Sequence, residues 1–295
     1  MVMLRWLLAK QPPSSAFALF AGGNSTSGVI ATSEKYSFVT ELVSSGASLS
    51  QARRHVQAAS NNSLAHYAGG TTGSSAVSTG DKYTFSSDSF SSAASLNAAR
   101  HSGAASANAT VAANAGGESP NTSALDIYTF STNTISSGTA LSAARTAIAA
   151  AGTSTTAFFS GGLGSNNTDK YSFSANTISS GTSFTSGRYH LTASGNATFG
   201  YFVGGYNLGV VSTNTEYTYS SDATASSTSI TNGRYAFASA GYSTFGIYGG
   251  GLNSSFGTVG TNYKFTWSSK TWSSATSLST ARYGHWGTSS ASSHI

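Results

Sequence analysis

The sequence predicts an all-β protein that folds as a single six-bladed β-propeller with four strands in each blade. Three landmarks support this prediction: a glycine pair, an aromatic-x-aromatic segment, and an arginine four residues after an apolar residue. Each landmark occurs six times, and their order along the chain never changes. A repeat of roughly 46 residues with four strand signals and no helical periodicity is typical of a propeller.

The glycine pair follows a short apolar segment such as FALFA or GYFV. Because glycine adopts backbone angles that other residues avoid, the pair lets the chain leave a strand abruptly or lets neighbouring blades approach closely. We therefore expect these structural glycine pairs at the end of strand b, the second strand of each blade. The pairs are Gly22 and Gly23, Gly69 and Gly70, Gly116 and Gly117, Gly161 and Gly162, Gly204 and Gly205, and Gly249 and Gly250.

The aromatic segment alternates as a strand does, in forms such as YSF and YTY, and it predicts strand c. The segment that follows it, for example NTISSGTSF, predicts strand d. The aromatic segments begin at Tyr36, Tyr83, Tyr128, Tyr171, Tyr217 and Tyr263. The tract between the glycine pair and this tyrosine varies in length, so we expect the longest loop of each blade there.

The arginine precedes a run of small residues that suits an inner strand a, crowded around the propeller axis. By symmetry the six arginines form a ring at one face of the disc. This tentative binding ring consists of Arg53, Arg100, Arg145, Arg188, Arg234 and Arg282. The ring either binds an anion or pairs with acids that come shortly before the strand c tyrosine. Those acids are Glu34, Asp81, Asp126, Asp169 and Glu216; Asn262 precedes Tyr263, so one arginine is expected to lack a partner.

Over about residues 16 to 290 these landmarks resemble the kelch repeat, which joins a diglycine after an apolar strand to a later Tyr and Trp. The tyrosine position is met in all six units, whereas the tryptophan is present only at Trp272. Val43, Phe90, Ile135, Ile178 and Ala225 take its place in the other units. Some kelch-like propellers are copper oxidases with a cysteine cross-linked to a tyrosine. This chain has no cysteine, so the resemblance does not imply that chemistry here.

The ends of the chain are expected to close the ring. After Arg282 the segment YGHWGTSSAS predicts a strand a, while residues 16 to 47 supply strands b, c and d of one blade. We expect residues 283 to 289 to lie beside residues 17 to 20. The rival closing strand is Arg5 to Leu8, but Pro12 and Pro13 interrupt that region, and proline is poorly tolerated inside a sheet.

Residues 1 to 13 then form an arm outside a single propeller domain of residues 14 to 295. Their sequence MVMLRWLLAK is apolar and basic in a chain otherwise poor in both characters, so we expect the arm to dock on another protein of a larger assembly.

Several functional classes are not expected. Charged residues are 8% and the net charge is +5 without a basic patch, which argues against nucleic-acid binding. No apolar run approaches the length of a membrane span. His55, His101, His190 and His285 lie near ring arginines at differing offsets, so no metal site is expected. No nucleophile elbow, P-loop or paired-carboxylate motif occurs, and we expect no catalytic residue, no cofactor and no enzyme activity.

The remaining candidate is the surface formed by loops rich in Ser, Thr, Asn and Gly with interspersed aromatic residues. A chain of low charge without cysteine resembles phage tail-fibre and virion surface proteins in composition. We therefore expect a virion-associated attachment protein, on a phage tail or capsid surface, that binds a host surface glycan or a partner virion protein through these loops. The alternatives are a kelch-type protein interaction module and an extracellular microbial lectin or adhesin.

Overall fold

A computed structural model describes residues 16–290, which form strands and no helices. The first nine strands are β1 Phe17–Ala21, β2 Asn24–Ser25, β3 Gly28–Val29, β4 Ser33–Ser37, β5 Val43–Gly46, β6 Gln57–Ser60, β7 Leu64–Ala68, β8 Gly80–Thr84 and β9 Ser89–Ala93. The next eight are β10 Ala104–Ala107, β11 Val111–Ala115, β12 Leu125–Thr129, β13 Thr134–Ser137, β14 Ala149–Gly152, β15 Thr156–Ser160, β16 Thr168–Ser172 and β17 Thr177–Gly181. The last nine are β18 Thr192–Gly195, β19 Phe199–Val203, β20 Asn214–Thr218, β21 Ala223–Ser227, β22 Ala238–Gly241, β23 Phe245–Gly249, β24 Asn262–Thr266, β25 Thr271–Ala275 and β26 Trp286–Ser289.

Six antiparallel sheets of four strands form the blades, which confirms the predicted six-bladed propeller. In the strand order a, b, c, d, blade A is β26, β1, β4 and β5. Blade B is β6 to β9, blade C β10 to β13, blade D β14 to β17, blade E β18 to β21, and blade F β22 to β25. The two remaining strands, β2 and β3, form a short hairpin in the loop between β1 and β4.

The a strands surround the axis, each in contact with the a strand of the next blade around the whole circle. Their residues are mostly Ala, Gly, Ser and Thr, as in AASA of β10 and AAAG of β14. Because these side chains are small, six strands can meet around one axis. No helix within residues 16–290 is long and apolar enough to cross a membrane.

The C-terminal strand closes the ring. β26 pairs antiparallel with β1, from Ala18 opposite Ser289 to Ala21 opposite Trp286. This confirms the expected closure, and the place considered for Arg5 to Leu8 is filled by β26. Those residues, and the whole arm of residues 1 to 13, lie outside the described part of the chain.

The register of blades E and F corrects three details of the expected repeat. In blades A to E the strand c tyrosine lies opposite the second residue of strand b, as Tyr36 does opposite Ala18. In blade F that place belongs to Phe265, opposite Gly246, and Tyr263 lies two residues earlier. Phe265 lies 13 residues before Leu278, the distance that also separates Tyr36 from Leu49, so Phe265 and not Tyr263 is the equivalent residue of blade F.

The other two corrections are shifts of one residue. In blade E the residue opposite Tyr217 is Thr224, so Ala225 is not equivalent to Trp272. In blade F the glycine pair with positive φ is Gly250 and Gly251, at +66° and +98°, whereas Gly249 is the last residue of β23. The other five glycine pairs occupy equivalent positions after strand b, as expected.

The core lies between the blades. Each hydrophobic cluster joins strands b and c of one blade to strands of a neighbour. At the E to F boundary the ring of Tyr201 stacks on Trp267, with 5.2 Å between ring centroids. At the B to C boundary His66 stacks on Tyr128 at 3.8 Å. The aromatic residues of strands b and c thus fill the gaps between blades.

Candidate functional site

The loop face is the face of the disc that carries the loops between strands b and c and the loops from strand d to the next strand a. All six ring arginines lie on it at the start of strand a, and each is at most 4% exposed. In blades A to D each of these arginines pairs with a carboxylate on strand c. The pairs are Arg282 with Glu34 at 2.8 Å, Arg53 with Asp81 at 2.5 Å, Arg100 with Asp126 at 2.8 Å, and Arg145 with Asp169 at 2.6 Å.

Each of these four carboxylates also accepts a backbone N–H from the loop that enters its blade. In blade B, for example, Ser50 N–H donates to Asp81 at 3.3 Å. The equivalent donors in the other three blades are Ser279, Asn97 and Ser142. Arg53 in addition donates to the carbonyls of Gly69, which directly follows strand b, and of Thr79, which directly precedes strand c. In blades A to D the ring arginine therefore pairs with the acid of strand c, and together they hold the ends of the loops in place.

Blades E and F lack this carboxylate. Arg188 donates to Phe202 O at 2.7 Å and to the hydroxyl of Thr215 at 3.0 Å. Thr215 has the strand position that holds an acid in blades A to D. Burial without a nearby carboxylate lowers the pKa of Arg188 to about 10.

The expected pairing of Glu216 with an arginine is wrong. Glu216 directly precedes Tyr217, whereas the other four acids lie two residues before their tyrosine. Successive side chains of a strand point to opposite faces, so this shift of one residue turns Glu216 away from the arginine. It pairs with Lys270 instead, at 2.7 Å.

Blade F has no acid beside its ring arginine, as expected, but the residue at the acid's position is Tyr263 and not Asn262. Arg234 donates to the carbonyls of Gly250 and Thr261 at 3.0 and 2.8 Å, and to the Thr261 hydroxyl at 3.0 Å. Tyr263, one residue after Asn262, has the acid's place, with its ring 4.6 Å from the guanidinium carbon. Burial lowers the pKa of Arg234, and the adjacent Tyr263 opposes that shift.

An aromatic cluster covers the loop face over blades E and F. We call Tyr189, Tyr206, Tyr235 and Phe256 the aromatic cluster. Ring centroids lie 5.5 Å apart for Tyr189 and Tyr206 and for Tyr206 and Tyr235, and 6.2 Å apart for Tyr235 and Phe256. Phe256 is 61% exposed, and the neighbouring Leu208 is fully exposed. This grouping of large apolar side chains at the surface makes the cluster a candidate interaction site.

Sequence reasoning missed the aromatic cluster, although a signal was present. Tyr189 and Tyr235 directly follow ring arginines, as Tyr283 does in blade A, whereas blades B, C and D have Arg54, His101 and Thr146 at that position. Tyr206 directly follows the blade E glycine pair. The loops that hold Phe256 and Leu208 have no counterpart of equal length, so spacing alone gave no means of placing them beside the tyrosines.

Three of the four singled-out histidines meet at the mouth of the axial channel. The ring of His55 lies 5.3 Å from that of His190 and 6.2 Å from that of His101. Burial lowers the pKa of His55 well below its usual value and that of His190 to about 4, so both are neutral at pH 7. The ring of His285 packs against Phe20, and His285 lines the same small cavity as His55 and His190. Within residues 16–290 no three His, Asp or Glu side chains are grouped so as to hold a metal ion.

A closed circle of backbone hydrogen bonds surrounds that mouth. In each blade the second residue after the ring arginine has positive φ and donates its N–H to the equivalent carbonyl of the adjacent blade. The donors are His55, Ser102, Ala147, His190, Ala236 and Gly284, with donor to acceptor distances of 2.6 to 2.9 Å. This circle joins all six blades at the loop face.

Trp286 blocks the channel below the circle. It lines a small cavity of about 20 Å³ under the histidines and a second one of about 80 Å³ among the small residues of the a strands. It packs against clusters on both sides of the axis, in blades A and B and in blades C and D. The two cavities beside Trp286 together have room for only a few water molecules.

Two open clefts adjoin the aromatic cluster, and each contains one of the arginines without a carboxylate. A cleft of about 540 Å³ is lined by Arg188, Tyr189, Tyr206 and Leu208. A second cleft, between blades E and F, has about 470 Å³. It is lined by Val210, Ser212, Thr231, Asn232, Gly233, Arg234, Asn253, Ser254, Val259, Thr261 and Tyr263.

The six-bladed fold and this face define a β-propeller of the kind that serves as an interaction module. No protein-family model matches the chain, and a search of curated proteins finds no match to its sequence.

Proposed function

We propose that this protein is a binding module that holds its ligand on the aromatic cluster of the loop face. The observation that supports this most strongly is the grouping of Tyr189, Tyr206, Tyr235 and Phe256 beside two clefts. Tyrosine surrounded by Ser, Gly and Asn is also the composition of adaptable binding surfaces in general. The loops that carry these rings are rich in those small polar residues.

Within this class we propose a virion surface protein, on a phage tail or capsid, that attaches to a glycan of the host surface. Aromatic faces pack on the apolar faces of sugar rings, and the surrounding hydroxyl and amide groups hydrogen-bond to sugar hydroxyls. The low charge and the absence of cysteine in the chain agree with this assignment.

A glycan array with the purified protein tests the proposal, followed by titration of the best ligand. Tyr206→Ala removes the central ring of the cluster and is expected to weaken binding at least about tenfold, as loss of an aromatic anchor does. Two exposed leucines on opposite faces provide a matched pair. Leu208→Ser, beside the cluster, should weaken binding, whereas Leu42→Ser, on the opposite face, should not.

Binding that survives Tyr206→Ala, or a chain that binds no sugar at all, would rule out this ligand assignment. Labelling of the source particles by an antibody to the protein, seen in negative stain, tests the virion location separately.

A protein partner is the second candidate. The exposed side chains of Leu208 and Phe256 favour it, because apolar residues at a surface centre are typical of protein interfaces. Affinity capture from the source organism with the wild-type chain and with Tyr206→Ala compares the two candidates. A protein captured only by the wild type and insensitive to added glycan would favour the protein partner.

A further inference from the structure

We propose that the cleft between blades E and F binds the carboxylate of an acidic sugar, with Arg234 as its counter-ion. The inference rests on the proposed glycan-binding function and adds the chemical class of the ligand. The cleft lies next to the aromatic cluster, since Val210, which lines the cleft, forms a β-bridge with Tyr206. The four rings of the cluster do not line the cleft itself, so a ligand that contacts both must extend beyond it.

The main argument comes from the repeat itself. Four blades build the same carboxylate receptor, an arginine side chain together with a backbone N–H of the entering loop, and fill it with their own acid. In blade B the parts are Arg53, Ser50 N–H and Asp81. Each of these four blades thus shows that an arginine together with a loop N–H binds a carboxylate.

Blade F keeps the arginine and the loop N–H, and the ring of Tyr263 lies where the other four blades have the acid. Arg234 corresponds to Arg53, Thr231 to Ser50, and Tyr263 to Asp81. The partners of Arg234 are two carbonyls, the Thr261 hydroxyl and the ring of Tyr263, and none of them is a carboxylate. The N–H of Thr231 has no acceptor among residues 16–290. A buried cation without a counter-ion is unfavourable, and an entering carboxylate would compensate it.

The cleft also suits the rest of a sugar. Tyr263 contributes an aromatic ring, and its hydroxyl accepts a hydrogen bond from Asn232 at 2.7 Å. Asn232 and Ser254 are exposed along the wall and can bond to sugar hydroxyls. An acidic peptide would need fewer of these polar groups, so we assign the site to a sugar acid.

Blade E does not offer the same site. The cleft beside Arg188 does not include Thr215, which has the acid's place, and Thr215 is buried. The walls there are Tyr189, Tyr206 and Leu208, which suit an uncharged part of a ligand. The two clefts are therefore expected to differ in preference, although both contain an arginine without a carboxylate.

The test uses the full chain with glucuronic acid and N-acetylneuraminic acid as probes, each beside its uncharged methyl ester. Titration followed by NMR or calorimetry should show at least about tenfold tighter binding of the acids than of the esters, as expected for a charge-assisted hydrogen bond. This comparison uses the wild-type protein, so it does not depend on the folding of any variant.

Tyr263→Asp supplies blade F with the internal acid that blades A to D have, and it should abolish the preference for acid over ester. Thr215→Asp is the matched control, because it adds the same charge beside Arg188 and should leave the preference unchanged. If Thr215→Asp abolishes the preference and Tyr263→Asp does not, the assignment to blade F is wrong.

The remaining outcomes separate this inference from the proposed function. Equal binding of acids and esters, with loss of both in Tyr206→Ala, overturns the inference and leaves glycan binding intact. Failure of every sugar to bind overturns both. Binding of a tetraglutamate peptide without binding of either sugar acid overturns the sugar assignment.

Discussion

Blades A to D and blades E and F have the same strands, the same glycine pairs and the same buried arginine, yet they treat that arginine differently. In the first four blades a carboxylate lies 2.5 to 2.8 Å from the guanidinium group. In the last two, Thr215 and Tyr263 stand at that position. The comparison shows that the scaffold tolerates loss of the acid when carbonyl and hydroxyl oxygens still accept the N–H groups of the arginine.

The same two blades carry the aromatic cluster. Where blades E and F have Tyr189 and Tyr235 after the arginine, blades B and C have Arg54 and His101, and His101 lies 3.3 Å from Glu118. Blade A also has a tyrosine there, Tyr283, but its hydroxyl accepts a hydrogen bond from Arg54 at 2.8 Å. The loop face is therefore divided into a polar part braced by ion pairs and an aromatic part with buried cations that no carboxylate neutralises. A binding surface is expected in the second part, because its two arginines have no carboxylate partner and the side chains of Leu208 and Phe256 are exposed there.

The most severe way to break the braced part is to remove its closing strand. Truncation after Arg282 deletes β26, the Gly284 link of the backbone circle and Trp286, and it leaves β1 with an unpaired edge near the axis. We expect loss of folding and aggregation, seen by circular dichroism and size-exclusion chromatography. Deletion of residues 1 to 13 should preserve the fold. A folded, monomeric truncated chain would show that β26 is dispensable.

The next largest effect should come from removing one acid. Asp81→Ala leaves Arg53 charged and fully buried, which is expected to cost about 3 to 5 kcal/mol of unfolding free energy. Thr215→Ala, at the equivalent position of blade E, removes only a hydroxyl acceptor and should cost about 1 to 2 kcal/mol. Urea denaturation of the two variants measures the difference. Equal losses would mean that the two groups of blades do not differ energetically.

The glycine pairs, in contrast, should be equally sensitive to substitution in both groups of blades. A Cβ on Gly204 would lie 2.5 Å from Arg234 O, and one on Gly69 would lie 2.5 Å from Arg100 O; both glycines have φ above +60°. Gly204→Val and Gly69→Val are each expected to cost about 2 to 4 kcal/mol, from overpacking and backbone strain together. Gly209→Val is the control, because nothing lies within 4 Å of its Cβ position. Thermal melts of the three variants measure these losses. A melting temperature of Gly204→Val equal to that of the wild type would show that the glycine pair has no structural role.

Much of the scaffold was predictable from the sequence because its landmarks recur with fixed spacing. The ring arginines, five of the glycine pairs and the closing strand are all found where spacing and counting placed them. The errors lie in blades E and F, where Glu216 and Gly249 are one residue from the expected place and Tyr263 two. The spacing of the landmarks does not reveal a shift of one residue. Such a shift nevertheless moves a side chain to the opposite face of its strand and so gives it a different partner.

Only part of the aromatic cluster was beyond this reasoning. Tyr189 and Tyr206 occupy repeated positions, directly after the ring arginine and directly after the glycine pair, and these two positions form a β-bridge in every blade except blade D. Phe256, in contrast, lies in a loop whose length has no counterpart in the other blades, so no repeat spacing predicts its contact with Tyr235.

The smallest predicted effect concerns pH and compares the boundaries between blades. His66 fills the B to C boundary, where it is fully buried, and Tyr201 stacked on Trp267 fills the E to F boundary. Burial lowers the pKa of His66 from 6.5 to about 4. The unfolded chain therefore binds a proton more readily than the folded one between these values, and stability should fall as the pH drops from 6.5 toward 4. For His66 alone the loss between pH 7 and pH 5 is about 2 kcal/mol.

His66→Phe, which gives blade B the residue that blade D has at Phe158, should reduce the loss measured by urea denaturation at the two pH values by that amount. Ile247→Val in blade F, at the same strand position, adds no titrating group and should leave the pH dependence as it is in the wild type. An unchanged loss in His66→Phe would show that another group causes the acid sensitivity.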